Sequence, residues 1–421
     1  MHLSLSPGSE PNPHALAALT KAGEAYPIVA SQDIVDVRGV KLWSRGQPVT
    51  STLQQRLLER RLKQPLEACL QAEGGVTLFT LMHDLQELIE SASPLAPVLR
   101  PWASELVAQL KQVPLHSVAQ LLLTTAAATR PATLAHAVAG MALAGAMVAG
   151  NQGNSHDIRL AMLGGLLHDL GEVYINPRYL DYTQALDLIG HKHLVVHPRV
   201  AQVLLNGLTD YPVAVGQAIA EHHERLDRSG YPARLGGDSL STLGRVLAVV
   251  EVTLGSLSAT HAPLTRASFA LRVVPGEFDT HWAAFICDAA HEAHEDFAGD
   301  LQPSALTLAG QLADIDRQLA AAHQLALDLN EQRRTSKITD VVADALHRLD
   351  RLRVAWNALG LWDAWADQTE PSERLELELA ESELRQRMRA FHRECLLLSE
   401  GLTEAEKFRL SPLWKGLLAP M

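Results

Sequence analysis

The sequence predicts a mostly α-helical protein, with a small β-hairpin region near the N-terminus and a helical bundle or coiled-coil extension at the C-terminus. Aromatic residues make up only 5% of the chain, whereas Ala and Leu are abundant, a composition that favours helix. From residue 103 to about 300, apolar residues recur at helical spacing, and short Gly- or Pro-containing breaks separate the segments. Nothing in this pattern indicates a parallel sheet.

The first hundred residues combine short runs typical of β-strands with segments whose apolar residues have helical spacing. Residues 34–37, 39–43 and 45–48 have the pattern of one or two small hairpins. Helical spacing follows from 51 to 93, and Pro94, Pro97 and Pro101 then interrupt the chain. We therefore expect an N-terminal region over 1–100, followed by a helical domain over 101–300.

Three apolar stripes run through residues 301–421, which we assign to a C-terminal helical bundle. Steps of four and three residues relate the members of each stripe, as in heptad repeats. Two interpretations stay open: the stripes form a core within one chain, or they form the seam of a homodimer. The first stripe contains Leu308, Leu312, Ile315, Leu319, Ala322 and Ala326; the second contains Ile338, Val342, Ala345, Leu349, Leu352 and Trp356; the third contains Leu377, Leu384, Met388, Phe391 and Cys395.

Composition excludes several classes of protein. The net charge of −12 argues against binding of a nucleic-acid polymer, which normally requires a basic face. Three widely spaced cysteines imply no disulfide framework. The N-terminus lacks a signal-peptide pattern, and the uncharged run 131–155 is built of Ala and Gly, which favours a buried helix over a membrane span. We expect a cytoplasmic protein.

Histidines and carboxylates in the central region indicate a metal centre. Imidazole and carboxylate are the ligands of Fe, Mn, Co, Ni and Zn, and a helical bundle builds such a site from one or two side chains on each of several helices. Asp169 follows His168 at the end of a predicted helix, and its two oxygens make it the natural bridge between two ions. The candidate ligands are His136, His168, Asp169, His197, His222, His223 and Glu251.

A histidine–aspartate pair is not by itself evidence of a metal. The chain has 19 histidines, and the same dipeptide recurs at His83–Asp84 and His156–Asp157, which we interpret as surface or helix-capping residues. The doubled His222–His223 within a distinctive loop sequence distinguishes the central set, so the joint pattern carries the prediction.

The segment from about 110 to 290 resembles the HD-GYP domain, the helical phosphodiesterase branch of the HD superfamily. The resemblance depends on the run 168–171 (HDLG) and the run 222–232 (HHERLDRSGYP), whose loop residues are Asp227, Ser229, Gly230, Tyr231 and Pro232. It implies hydrolysis of cyclic di-GMP at two divalent ions, Fe or Mn, by hydroxide attack on phosphorus. Asp169 and His168 would be the catalytic residues, and a diguanylate cyclase domain would be a partner at the Tyr231–Pro232 loop.

The chain departs from the family pattern where substrate is expected to bind. Glu172 stands in place of a lysine, Arg228 in place of a glycine, and Ala262-Pro263-Leu264-Thr265 in place of an Arg-Pro-Tyr-Arg run. Arg228 and Arg266 are candidates to supply positive charge to the substrate. Ala132 stands where family members with a third metal have a carboxylate, so we expect two metals.

Three functions therefore remain open. The first is an active cyclic di-GMP phosphodiesterase. The second is a catalytically degenerate domain that acts as a receptor, signalling or protein-interaction module. The third is a metal-dependent phosphohydrolase of another nucleotide.

Overall fold

A computed structural model describes residues 10–57, 60–181, 186–259, 261–293, 305–331, 336–359 and 371–415. Helices dominate it, and the strands form two small sheets, which confirms the predicted mostly α fold. Contacts divide the chain into two compact units, Met1–Gly255 and Ser256–Met421. The three-part division from the sequence stays a prediction, and its second boundary, at 300–301, lies outside the described residues.

Both sheets belong to the N-terminal part of the first unit. Strand β1 (Ile28–Ala30) pairs antiparallel with β4 (Leu70–Ala72), and β2 (Ile34–Val35) pairs with β3 (Lys41–Trp43) as a hairpin. The hairpin lies within the runs from which it was predicted.

The segment 51–93 is less helical than its spacing indicates. Helix α2 (Ser51–Leu57) and helix α3 (Leu78–Glu90) are separated by a 3-10 helix (Leu66–Cys69) and by β4. Pro65 precedes the 3-10 helix, and Gly74 and Gly75 adopt φ values of 130° and 73° before α3. These residues break the helix, and the open edge of β1 then provides backbone partners for the intervening residues.

Helix α1 packs on the central region, so the N-terminal part is joined to the helices that follow. Asn12 caps α1 through its side chain, which accepts from two backbone N–H groups. The Tyr174 hydroxyl donates a short hydrogen bond to the buried Glu67 carboxyl group, and Leu121 contributes to the core formed by the N-terminal strands and helices. The elements to this point also include α1 (Pro13–Ala25), α4 (Leu95–Leu99), α5 (Ala103–Leu110) and α6 (Ser117–Thr129).

The rest of the first unit is a bundle around one buried helix, α7 (Ala132–Gly150). By length and composition this helix is also the one described helix apolar enough to cross a membrane, and 67% of its most apolar window is buried inside the protein. Around it lie α8 (Ser155–Leu167), a 3-10 helix (Leu170–Tyr174), α9 (Leu188–Leu194), α10 (His197–Leu208), α11 (Val213–Glu221) and α12 (Thr242–Ser256). The breaks predicted at 150–154, 210–212 and 227–238 lie between these elements, whereas the break predicted at 171–177 begins inside the 3-10 helix and the break at 195–196 was not predicted.

The second unit is an all-helical bundle among its described residues. Its elements are α13 (Pro263–Arg272), α14 (Thr280–Ala293), α15 (Ala305–Glu331), α16 (Ser336–Ala358), α17 (Pro371–Ser399), α18 (Glu404–Leu410) and α19 (Pro412–Lys415). All three predicted apolar stripes are buried in one shared core of this unit. The interpretation as a core within one chain is therefore correct for these side chains, and a homodimer stays a prediction.

Candidate metal centre

Two glycines bring the first pair of histidines together. Helices α7 and α8 cross so closely that a Cβ on Gly140 would lie 2.8 Å from the carbonyl oxygen of Gly165, and a Cβ on Gly165 would lie 2.6 Å from the carbonyl carbon of Gly140. No side chain fits there, since normal van der Waals contact begins near 3.4 Å. The crossing lets His136 on α7 approach His168, with 3.1 Å between their Nε2 atoms.

A third glycine brings His197 to the same place. Asn154 caps the start of α8, which ends at Leu167, and Asp169 then precedes the 3-10 helix Leu170–Tyr174. In that helix a Cβ on Gly171 would overlap the backbone of His197, at 2.8 Å from its carbonyl carbon. Because Gly171 has no side chain, Nε2 of His197 lies 3.3 Å from Oδ1 of Asp169.

Two buried glutamates hold the loop that follows His222 and His223. Glu221 accepts hydrogen bonds from the backbone N–H and hydroxyl of Ser241. Glu224 accepts from the backbone N–H groups of Ala233 and Leu235, at 2.6 Å and 3.0 Å. These bonds fasten the middle and the last residue of the loop 225–241 to the end of α11, and α12 then leads into the site with Glu251.

All seven predicted ligands converge in two adjoining clusters. The first contains His136, His168, Asp169 and Glu251, and the second contains Asp169, His197, His222 and His223. Within each cluster the ligand atoms lie within 4.8 Å of one another. Asp169 belongs to both clusters, as its predicted bridging role requires.

The two carboxylates divide their oxygens between the clusters. Oδ2 of Asp169 lies 3.3 Å from His136 Nε2 and 3.4 Å from His168 Nε2, whereas Oδ1 faces His197 and His222 at 3.3 Å and 3.6 Å. Glu251 has a similar arrangement: Oε2 lies 3.4 Å from His168 Nε2, and Oε1 lies 4.0 Å from His223 Nε2.

The tautomers of three histidines show that a cation fits this donor set. The Nδ1 atoms of His168, His197 and His222 lie 2.8, 2.8 and 2.6 Å from the backbone oxygens of Gly165, Leu194 and Ile219, respectively. A carbonyl oxygen only accepts, so each Nδ1 carries the proton and each Nε2 of a neutral ring presents a lone pair. Two such lone pairs, on His197 and His222, face each other at 3.2 Å. They repel unless a proton or a metal ion lies between them.

Glu251 gives independent support for a cation. Its Oε2 is buried and makes no hydrogen bond of normal geometry with any described residue. Its nearest polar neighbours are the Nε2 atoms of His168 and His136, at 3.4 Å and 3.6 Å, and coordination of a divalent cation by this oxygen would compensate the hydration that it loses on burial. The residues present therefore fit divalent metals.

Without metal, the first cluster retains protons. Burial alone lowers the pKa of His136, but the carboxylates of Asp169 and Glu251 outweigh it and raise the pKa to about 9. The same carboxylates raise the pKa of His168 well above its ordinary value against the effect of burial. Burial opposes ionisation of Asp169, yet the charge of His168 and the bonds from neighbouring histidines hold its pKa well below the usual range.

The last two histidines behave in the opposite way. Burial, followed by the charge of His222, lowers the pKa of His223 well below its ordinary value, and burial also lowers the pKa of His222. Both rings are therefore neutral and able to ligate near neutral pH. Binding of a metal by the first cluster, in contrast, would release protons.

The predicted motif loop closes over the second cluster. The ring of Tyr231 stacks on His223 with centroids 4.5 Å apart, and the Tyr231–Pro232 peptide bond is cis. The Asp227 side chain accepts from the backbone N–H of Ser229. Arg228 has φ = 66°, the left-handed region that favours glycine. This backbone conformation is retained although the residue is arginine.

The two predicted substrate-binding arginines belong to different units of the chain. Arg228 is exposed on the motif loop of the first unit. Arg266 belongs to the second unit, where its guanidinium donates to the backbone oxygen of His261 at 3.0 Å and to Glu378 at 2.6 Å. The run 262–265 forms the start of α13 in the same unit. A role of either arginine in substrate binding stays a prediction.

The other histidine–aspartate pairs are as expected. The His83 side chain is 68% exposed, and its neighbours Asp84 and Glu87 form a surface acidic group. The backbone N–H groups of His156 and Asp157 are capped by Asn154 at the start of α8.

Sequence reasoning missed the residues that position the ligands. Gly140 and Gly165 would have been detectable as small residues on two long apolar helices, and Glu224 as a charged residue between a histidine pair and a turn. Arg130, which forms an ion pair with Glu172, carries no signal in the sequence because the two residues are 42 positions apart.

Comparison with known proteins places this site in a recognised domain. The sequence profile described as HD domain matches residues 119–267. The cyclic di-GMP phosphodiesterase response regulator RpfG of Xanthomonas campestris is 34% identical over 107 residues, which cover 25% of this chain and 28% of the relative. No solved structure gives a significant match.

Two further relatives carry related names. A cyclic di-GMP phosphodiesterase of Pseudomonas aeruginosa is 27% identical over 196 residues, which cover 46% of this chain and 45% of the relative. The 3'3'-cGAMP-specific phosphodiesterase 3 of Vibrio cholerae is 30% identical over 87 residues, or 21% of this chain and 19% of the relative. In each of these relatives the similarity spans less than half of the protein.

Proposed function

This chain carries an HD domain of the HD-GYP family, and on that premise we propose that it is a metal-dependent phosphodiesterase that hydrolyses cyclic di-GMP. The observation that supports the proposal best is the pair of clusters that share Asp169. A hydrolytic two-metal site needs a ligand common to both ions, and a carboxylate with one oxygen towards each cluster meets that need.

The protein side chains have distinct roles in this proposal. Asp169 joins the clusters, and Glu251 supplies a second carboxylate that reduces the charge of the bound ions. The backbone carbonyls of Gly165, Leu194 and Ile219 fix the ring orientation of three histidine ligands, His168 among them, so their Nε2 lone pairs point into the site. When bound, divalent metals lower the pKa of water and neutralise charge on a phosphodiester.

Fe or Mn is the metal that we propose. The seven ligands are five imidazoles and two carboxylates, with no thiolate among them. Such a set of nitrogen and oxygen donors suits Fe and Mn. It differs from the thiolate-rich sets that hold structural zinc. Ala132 offers no carboxylate for a third ion, so two ions remain the proposal.

A receptor or scaffold without turnover is the second candidate. It is favoured by Arg266, whose guanidinium is engaged by Glu378 within the second unit. A metal-dependent phosphohydrolase of another nucleotide is the third, and we propose 3'3'-cGAMP as that nucleotide because two relatives are named for it. A diguanylate cyclase domain at the Tyr231 loop, a homodimer through the C-terminal helices and a cytoplasmic location remain proposals of the sequence.

Purified full-length protein separates these candidates. We expect about two Fe or Mn per chain, turnover of cyclic di-GMP, and loss of both metal and turnover in His168→Ala. His156→Ala is the matched control, because it changes the same dipeptide outside the clusters. Metal content without turnover of either cyclic di-GMP or 3'3'-cGAMP would favour the receptor, and turnover of 3'3'-cGAMP alone would favour the third candidate.

A further inference from the structure

Arg130 and Glu172 form an ion pair between two segments that carry candidate metal ligands. Nη2 of Arg130 contacts Oε2 of Glu172 closely. Arg130 lies two residues before the start of α7 and six residues before His136, and its backbone oxygen accepts from the N–H of Thr133 in the first turn of that helix. Glu172 lies three residues after Asp169, and its N–H donates to the Asp169 backbone oxygen at 2.9 Å. The backbones of both residues are therefore hydrogen-bonded to segments that carry candidate metal ligands.

The two side chains differ in their access to solvent. The Glu172 side chain is 5% exposed, whereas that of Arg130 is 28% exposed. Glu172 also follows Gly171, which packs directly against the backbone of His197 in the second cluster. The carboxylate is thus the buried anchor of the pair, and the guanidinium is the more accessible member.

Charge explains why the accessible member matters. A buried carboxylate beside the site would repel an anionic phosphodiester if nothing compensated it. Arginine is suited to this position because its planar fork holds a carboxylate on one edge and meets phosphate oxygens on another. The ion pair therefore removes the repulsion expected from Glu172 and presents a cation of fixed orientation.

We propose that Arg130 binds a phosphate oxygen of the phosphodiester substrate and that Glu172 is its positioning residue. This inference rests on the proposed function for the class of substrate, and it assigns a substrate contact to a residue outside both metal clusters. A purely structural ion pair is the competing explanation, in which Arg130 only neutralises Glu172.

Three variants of the full-length, manganese-loaded protein separate the two explanations: Arg130→Gln, Glu172→Gln and the double variant. The primary readout is the affinity for inorganic phosphate by calorimetry. We expect Arg130→Gln to weaken it about tenfold, which corresponds to the loss of a charge-assisted hydrogen bond. Glu172→Gln loses the carboxylate that orients the guanidinium but also removes a negative charge near the bound phosphate, and because these effects oppose each other its affinity should stay within about threefold of wild type or be tighter. The double variant should be as weak as Arg130→Gln.

A structural pair predicts a different pattern. The double variant has neither buried charge, so it would recover wild-type phosphate affinity, and this recovery would overturn the inference. Three other results would also overturn the inference. They are an unchanged phosphate affinity in Arg130→Gln, no phosphate binding by the wild type, and a larger loss of phosphate affinity in Glu172→Gln than in Arg130→Gln. Arg199→Gln is the matched control, since this exposed arginine lies on α10 two residues after a candidate ligand.

Metal content and turnover distinguish failure of the inference from failure of the proposed function. Metal content should be equal in all variants. Phosphate binding that depends on Arg130, with no hydrolysis of cyclic di-GMP or 3'3'-cGAMP by the wild type, supports the inference and refutes the proposed function. Hydrolysis of cyclic di-GMP with the same KM in wild type and Arg130→Gln refutes the inference and supports the proposed function. If Arg130→Gln is poorly folded, Arg130→Lys and the double variant supply the comparison.

Discussion

Replacing Gly171 by alanine is expected to separate the two metal clusters. A Cβ at this position would overlap the carbonyl oxygen of His197 and lie 2.8 Å from its carbon and 3.1 Å from the backbone nitrogen of Ala201. All three atoms belong to the backbone of α10, so no side chain can rotate away. The 3-10 helix and α10 must move apart by about 0.6 Å or more to restore normal contact with the carbon alone.

The displacement is expected to lower both the free energy of unfolding and the number of metal ions bound. Overpacking of this kind costs about 1–3 kcal/mol, which corresponds to a decrease of roughly 2–12 °C in the unfolding midpoint of a domain of this size. The distance of 3.3 Å between Asp169 Oδ1 and His197 Nε2 would increase, whereas the first cluster does not involve α10. We therefore expect the bound metal to decrease from about two ions to about one per chain.

Thermal unfolding and metal analysis of the purified protein test this expectation. Gly310→Ala is the matched control: this helical glycine has no atom within 4 Å of an added Cβ, so alanine should be neutral or stabilising by up to about 1 kcal/mol. A Gly171→Ala protein with two metals and a wild-type midpoint would show that the close approach of the two backbones does not position the site.

Three further predictions concern charge, strain and metal. In metal-free protein the pKa of His136 is raised from 6.5 to about 9, so its contribution to stability is fully present below about pH 6.5 and is lost as the pH rises through about 9. The midpoint difference between wild type and His136→Gln should therefore shrink from pH 6 to pH 10; a constant difference would contradict this. Arg228→Gly relieves a positive φ of 66°, and denaturant unfolding should show a gain of up to about 1 kcal/mol rather than a loss. Complete removal of metal by a chelator should lower the unfolding midpoint, and Mn²⁺ should restore it, because a metal bound only by the folded protein stabilises it and the facing nitrogens of His197 and His222 must hold a proton instead when metal is absent. An unchanged midpoint in chelator would exclude a structural contribution of the metal.

Local sequence patterns were sufficient wherever the physical cause is local. Gly and Pro disfavour helical backbone in any context, and the structure has breaks at 130–131, 150–154 and 210–212, where these residues predicted them. The C-terminal stripes predicted buried faces correctly because heptad spacing places its residues on one side of a helix. In contrast, the spacing over 51–93 did not reveal β4, whose stability depends on the edge of β1, about forty residues earlier in the chain.

The ligand set was predictable in its chemistry but not in its geometry. Residue types and a family motif indicated which seven side chains would meet and that Asp169 would bridge two ions, but they did not indicate that Glu251 also directs one oxygen to each cluster. The sequence also presented Glu172 as a charge that would repel substrate. Its pairing with Arg130 changes that interpretation.

By itself, the sequence determined the mostly α fold, several of the helix ends and the identity of the candidate ligands, because propensity, spacing and donor chemistry belong to individual residues and their near neighbours. Only the tertiary structure decided the close crossing at Gly140 and Gly165, the contact at Gly171 and the ion pair of Arg130. Each of these depends on the distance between segments that are far apart in the chain, and that distance is set by how whole helices pack rather than by any local pattern.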